Sequence, residues 1–271
     1  MSNIPSEIPK QNVMKDEFGW EIPVETVPVP SEGMVYPAGS PLHGRKTLQI
    51  KAMTAREEDI LSSAALIKEG TVITHLLESC LIDKEVNVRD MLLGDRNALM
   101  VSVRITGYGS HYDAEASCPA CSTRSSQTFD LSDLEIKSID IEPTVPGENI
   151  FSFTLPITKK NVLFRFMTGR DEEERNIIAE RKRKIMPGMK IEDGVTSRLE
   201  QLIVSIDGIK DRNKISQFVK NMPALDSRKL RGYISKYEPG IDMSTWMKCP
   251  SCSENSRISL PMGSNFFWPS E

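Results

Sequence analysis

Two short motifs in the 271-residue sequence carry recognisable metal chemistry: a Cys-Pro-Ala-Cys run at 118–121 and a Cys-Pro-Ser-Cys run at 249–252. A two-residue spacing lets one tight turn present both sulfurs to a single ion, and four thiolates close a tetrahedral zinc site with no position left for water. Such a site is structural rather than catalytic. The 127 residues between Cys121 and Cys249 far exceed the ~15–20 of a contiguous zinc ribbon, so the fold itself has to bring the pairs together. The flanking residues suit this. Tyr112, Ala114 and Ala116 alternate before the first pair and Phe129 follows it, while Ile258 and Leu260 follow the second, which places each pair at the tip of a β-hairpin. The expectation is one zinc shared by Cys118, Cys121, Cys249 and Cys252. Two disulfides, free thiols, or ligands completed by a neighbouring subunit are the alternatives. A thioredoxin-like redox role does not fit, because neither pair opens a helix after a parallel strand. Cys80, in LLESCLI on an apolar helical face, reads as a buried small hydrophobe.

Other reactive constellations are missing. His43, His75 and His111 show no spacing that suggests a metal site or a nucleophile–base pair, and no phosphate-cradling glycine loop, dinucleotide fingerprint or nucleophile elbow occurs. The acidic cluster at 171–174 sits at a helix start, where the dipole accounts for it. No active site is expected, and the protein reads as a non-enzyme. Arg181, Lys182, Arg183 and Lys184 close the same helix, where cations complement its negative end.

The elements that must position the cysteines read as two copies of one unit. TLQIKAMTAREEDIL at 47–61 is a strand alternating Leu48, Ile50 and Ala52, then Met-Thr, then a helix. NVLFRFMTGRDEEER at 161–175 repeats this with Val162, Phe164 and Phe166. In each copy the threonine, Thr54 or Thr168, caps a helix whose third position is an acid, Glu57 or Asp171. Each copy then runs through amphipathic helices to its cysteine pair. Met53 and Met167 are 114 residues apart and Cys118 and Cys249 are 131 apart. The second copy is therefore the longer, with the surplus around ERKRKIMPGMKIEDG. The reading is an α+β fold of two related strand-helix-hairpin units, 42–140 and 141–271, with a four-cysteine zinc-ribbon-like site, joined by the Pro/Gly-containing stretch IEPTVPGEN. Residues 1–41 carry seven prolines and form an extended N-terminal arm, with Val24, Val27, Val29 and Tyr36 as apolar anchors. The C-terminal Phe266, Phe267 and Trp268 either dock on their own protein or insert into a partner.

Composition limits the partners. The net charge of −4 and pI of about 5.6 offer no global attraction for nucleic acid or anionic lipid. No apolar run approaches the ~20 residues of a membrane helix and the first residues lack a secretory signal. The expected setting is a cytoplasm or something assembled there.

In this order, VPSEGMVYPAGSPL, MTAREEDIL, LLGDRNALMVSVRITGYG, and CPAC followed by TFDLSDL resemble the baseplate hub and hub-assembly proteins of T-even-type contractile-tailed bacteriophages. The resemblance covers about 31–135, and the second unit echoes it in outline. It implies a small non-enzymatic component of the virion tail baseplate, in the hub region, assembled in the host cytoplasm. The implied partners are other baseplate or tail proteins, including tail-tube or tape-measure components, and further copies of the chain, with no membrane and no nucleic acid. The Pro-rich arm and the second cysteine pair depart from the simplest members. The alternative is a zinc-ribbon nucleic-acid-binding adaptor, supported by the basic run and the hairpin tips alone. A wall hydrolase is argued against by the lack of a histidine constellation or paired acid site.

Overall fold

The computed structural model describes residues 13–15, 18–185, 194–262 and 266–267, with the side chains of 179, 180 and 182–185 outside that description. Strand β1 (Val13–Lys15) and strand β2 (Glu21–Pro28) are antiparallel, and β2 continues onto β3 (Thr47–Lys51) with Val27 opposite Leu48 and Glu25 opposite Ile50. Here the structure differs from the expected arm. The segment is extended only as far as Pro28, and from Pro30 to Gly44 it runs through successive turns, with Glu32 donating to Val29 and Ser40 to Pro37 at 2.8 Å each. From Glu21 it belongs to the body, and Val27, Val29, Val35, Tyr36 and Leu42 are buried in the core. Prolines remove a donor yet leave the carbonyl. Pro23 accordingly accepts from the Ala52 amide at 3.0 Å, while Val29 donates to Lys46 at 2.8 Å. Val24 is half-buried. Residues 1–12, with Pro5 and Pro9, lie outside the described residues, as do 16–17.

After β3 come α1 (Ala55–Ser62), α2 (Ala64–Glu69) and α3 (Val72–Cys80), and the chain returns to bridge Ile50 through Leu81. The long helix α4 (Leu93–Tyr108) leads into the hairpin β4 (His111–Ser117) and β5 (Arg124–Asp130). Strand β6 (Ile136–Lys137) follows. The same order recurs: β7 (Phe151–Thr154), β8 (Asn161–Phe164), α5 (Gly169–Ile185), α6 (Val195–Leu202) and β9 (Ile203–Ile206), with β8 central in the sheet. Then α7 (Arg212–Lys220) and α8 (Ala224–Tyr237) precede β10 (Gly240–Ile241) and the hairpin β11 (Ser244–Lys248) and β12 (Asn255–Ser259). Helix α5 has 17 residues against 8 in α1, so the surplus of the second copy begins inside a longer helix. Residues 186–193 lie outside the described residues.

The recurrence extends to single side chains. Glu57 accepts from the Thr54 amide and hydroxyl at 2.8 and 2.6 Å and from Lys51 at 2.8 Å. At the same spacing of 114, Asp171 accepts from the Thr168 amide and hydroxyl at 2.8 and 2.9 Å and from both Arg165 terminal nitrogens at 2.7 and 2.6 Å. Each is an acid reaching back over the first turn while an upstream cation of the strand clamps it. At the spacing of 131, Asp95 in the first turn of α4 and Asp226 in the first turn of α8 are both fully buried. Asp95 binds the loop that follows β2, and Asp226 the loop that follows β7. Ser31 donates its amide and hydroxyl to Asp95 at 2.8 and 2.6 Å, and Ile157 and Thr158 donate their amides to Asp226 at 2.7 and 3.0 Å.

Burial alone would raise the Glu57 carboxyl, but its bonds to Lys51, Ser79 and Thr54 outweigh that and hold it at about 2. A lowered acid contributes stability above its unfolded value and loses it as pH falls through the folded one. Wild-type stability should therefore drop by about 3 kcal/mol more than that of Glu57→Gln as the pH falls from the ordinary glutamate range to about 2. Denaturant titrations of both proteins across that range check it, and parallel curves would refute it.

One hydrophobic core runs through both halves. Leu93 donates to the Met167 carbonyl and Gly169 to that of Met91, both at 2.9 Å, which stitches the start of α4 to the start of α5. Close approach requires Gly94, where a Cβ would lie 1.8 Å from the Pro239 carbonyl oxygen. The stretch expected as a linker packs on the N-terminal segment, with Ile139 donating to Pro30 at 3.1 Å and Gly147 to Met34 at 3.3 Å.

Of the two fates open to the aromatic tail, the described part takes docking on its own protein. Phe266 and Phe267 are buried, and Phe266 meets Tyr112 edge-on with centroids 5.3 Å apart. Buried Arg104 fixes the tail by donating to the carbonyls of Phe266, Gly109 and His111 at 2.7, 2.7 and 3.0 Å. Trp268 lies outside the described residues. Phe266→Ala should cost about 3 kcal/mol in chemical denaturation. A change within error of zero would show that the tail adds nothing to the core.

Candidate metal centre

Each cysteine pair occupies the turn of its hairpin by the same local device. Proline after the first cysteine presets φ. The Cys118 carbonyl accepts from the Ser122 amide at 2.8 Å, and the Cys249 carbonyl accepts from Ser253 at 2.9 Å. Ser122 and Ser253 both sit at φ 60, in the left-handed region. The turn closes when the Cys118 amide donates to Thr123 and the Cys249 amide to Glu254, each at 2.9 Å. Both sulfurs of a pair therefore project from the same tip.

The fold then sets one tip against the other. Gln127 on β5 donates to the Lys248 carbonyl on β11 at 3.1 Å, and Tyr112 on β4 donates to the Pro261 carbonyl at 2.7 Å. Sulfurs from the two pairs approach crosswise, Cys118 to Cys252 at 3.7 Å and Cys121 to Cys249 at 3.6 Å. All four Sγ atoms lie within 4.8 Å of one another. A tetrahedron with metal–sulfur distances of about 2.3 Å has edges of about 3.8 Å, close to the two shortest contacts. A disulfide needs about 2.05 Å between sulfurs, and all five cysteines are free thiols here.

The site is half closed. Cys118 and Cys249 are buried, while Cys121 and Cys252 face solvent. Hydrogen bonding from Thr123, 3.2 Å from the Cys121 sulfur, lowers that thiol, while hydrogen bonds with Cys121, Cys249 and Cys118 raise that of Cys252, so the clustered thiols share their protons unevenly. The donor set is all sulfur and can hold a metal ion. Sequence reasoning missed Thr123 and Gln127. A hydroxyl two residues beyond the second cysteine was the available signal for the first, whereas Gln127 acts on a strand 121 residues away.

The remaining candidates lie elsewhere. Burial pushes the Cys80 thiol up to about 12, as suits a packing residue. His43 lies 2.6 Å from the Tyr36 carbonyl oxygen and His75 3.5 Å from the Glu78 carboxylate, while His111 is exposed at the start of β4. None of the three joins the cysteine cluster. In the basic run Arg181 is exposed, and the side chains of Lys182, Arg183 and Lys184 lie outside the described residues. Among the described residues, no helix is long and apolar enough to cross a membrane.

A family model described as T4 bacteriophage base plate protein matches residues 40–268, a span that takes in both cysteine pairs. The chain belongs to this family. Comparison with curated proteins and with solved structures gave no match. Membership implies a place in the tail baseplate of the virion and contacts with other baseplate or tail proteins. The match runs well past residue 135.

Proposed function

We propose that this baseplate protein is a structural or assembly component of the hub region, built from two duplicate units that a single zinc ion clamps together, and that it works by protein contact rather than turnover. The convergence of four sulfurs from hairpins more than 120 residues apart carries the reading. Four thiolates leave no open coordination position, so the ion serves as a cross-link between Cys118 and Cys121 of one unit and Cys249 and Cys252 of the other. All-sulfur tetrahedral sites select zinc or iron, and a closed four-cysteine set from two Cys-x-x-Cys turns is the usual structural zinc arrangement. A stiff body of this kind offers neighbours a fixed surface, which a hub requires if later components are to dock in register.

Elemental analysis of the purified chain tests the chemistry. One zinc per chain is expected, absent from Cys249→Ser; a metal-free wild type would remove the clamp, and one iron with a visible thiolate absorption band would replace its ion. Electron microscopy of assembled particles carrying a tagged chain tests the location. Density for the tag at the baseplate periphery would overturn the hub assignment.

A further inference from the structure

Two helices of the C-terminal half, α6 and α8, carry a feature in which none of the metal-cluster cysteines takes part, although Leu202 and Ile234 at its floor also belong to the core. Side chains of helices α6 and α8 border a groove of about 460 Å³. Its apolar lining comes from Val195, Leu202 and Ile234, and its charged side chains are Arg198, Arg228 and Arg231. Each helix contributes residues three, four and seven apart, so the groove is the continuous face of two helices rather than a gap between loops. Arg198 has Glu238 at 3.9 Å, the long limit of an ion pair, whereas neither Arg228 nor Arg231 has a carboxylate within pairing distance among the described residues. Among the described residues, none that lines the groove is acidic. On a chain with net charge −4, three guanidinium groups around an apolar floor form a local reversal of sign.

We propose that the α6–α8 groove binds an acidic, amphipathic peptide segment of a partner protein, with an apolar side chain on the Val195, Leu202 and Ile234 floor and carboxylates on Arg228 and Arg231. Guanidinium forks match carboxylates bidentately, and an apolar floor supplies the water exclusion that makes such pairs specific. A nucleic acid fits less well. A long polyanion meets the negative field of the whole chain, and the floor has no ring on which a base could stack. That the partner is another baseplate protein rests on the function proposed above; the ligand chemistry of the groove does not, and it is independent of zinc.

The test uses the full chain and a fluorescently labelled, end-capped peptide of alternating glutamate and leucine, followed by anisotropy. Saturable binding that weakens with salt is expected, and the counterpart with lysine for glutamate should not bind. Arg228→Glu combined with Arg231→Glu should weaken binding at least about tenfold. Both side chains are exposed, so the fold should survive, which circular dichroism confirms. Gly232→Leu is the second variant. A Cβ at Gly232 meets nothing within 4 Å, so the added side chain fills the groove without strain and keeps every arginine. It should weaken the peptide by a similar factor. Undiminished binding to either variant, no saturable binding to the wild type, or tighter binding of an oligothymidylate than of the peptide overturns the proposal. Because zinc content is unaffected throughout, failure here leaves the clamp untouched, and loss of zinc leaves the groove untouched.

Discussion

With the proposed zinc in place, a chelator at neutral pH should lower the melting temperature of the purified chain by about 10 °C, and added zinc should restore it. An ion present at a thousand times its dissociation constant stabilises the folded state by about 4 kcal/mol. A domain of this size shifts by roughly 2–4 °C per kcal/mol. The loss should be local. Two-stranded hairpins are marginal alone, and β4–β5 and β11–β12 are each two-stranded sheets. The hydrogen bonds of Gln127 and Tyr112 and the buried faces of the hairpins, with Ala114, Phe129, Met247 and Ile258, are left to hold them to each other and to the body. The rest of the core stays buried, so far-UV circular dichroism should change little, unlike a small zinc finger that unfolds outright without its ion. Hydrogen exchange should accelerate across both hairpins and leave α3 and α4 protected. Cys249→Ser should reproduce the chelated state without a chelator, whereas Cys80→Ala, which deletes a buried thiol remote from the cluster, should keep its zinc. Equal melting of wild type, chelated protein and Cys249→Ser would mean that the four sulfurs meet without holding anything.

What could be read from the sequence followed the range of the interactions. Both cysteine turns were legible because Cys-Pro-x-Cys fixes its own geometry within four residues, and the hairpins followed from alternation on either side. The threonine caps were equally local. Their acids were placed at the right position, but not the cations that clamp them: Lys51 and Arg165 lie on the preceding strand, six residues upstream of Glu57 and Asp171. Proline content marked 21–41 as extended, which holds only to Pro28 because the chain then folds through successive turns. Nor did it reveal what the extended part pairs with, since an unpaired strand and a strand of the same chain's sheet have the same composition. The partner of Val24–Pro28 is β3, and of the apolar anchors Val27, Val29 and Tyr36 are part of the protein's own core while Val24 is half-buried. The tail shows the same ambiguity, because Phe266 finds its pocket beside Arg104, 162 residues earlier in sequence. The spacings of 114 and 131 came from motifs alone. Their physical content, two buried aspartates doing one job, did not, because an aspartate in the first turn of a helix already has an explanation in the dipole.

Those aspartates give the second large effect. Asp95→Ala should destabilise the protein by about 4 kcal/mol, because it strips the acceptor from three buried donors at once. They are the Ser31 amide, the Ser31 hydroxyl and the Tyr36 hydroxyl, the last at 2.6 Å. The Tyr36 oxygen also accepts from the Leu92 amide at 2.9 Å, so the start of α4 loosens with it. Asp226→Ala removes the matching acceptor from Ile157 and Thr158, but their loop is open to water, with Ile157 itself 54% exposed. Rehydration should limit that loss to about 2 kcal/mol. The two variants should also respond to pH in opposite senses. Burial raises the Asp95 carboxyl above the usual range despite its donors. Its contribution is therefore complete below about pH 3.9, the unfolded value, and declines as pH rises through the folded one. Burial also opposes ionisation of Asp226, yet the amides of Ile157 and Thr158 outweigh it and lower that carboxyl. Its contribution is complete above the unfolded value and declines as pH falls. Denaturant unfolding in an acidic and a neutral buffer should thus show the Asp95→Ala penalty shrinking towards neutrality and the Asp226→Ala penalty growing. Penalties that moved together would mean that the duplicated aspartates share a position in the fold without sharing the balance of burial and hydrogen bonding described for them.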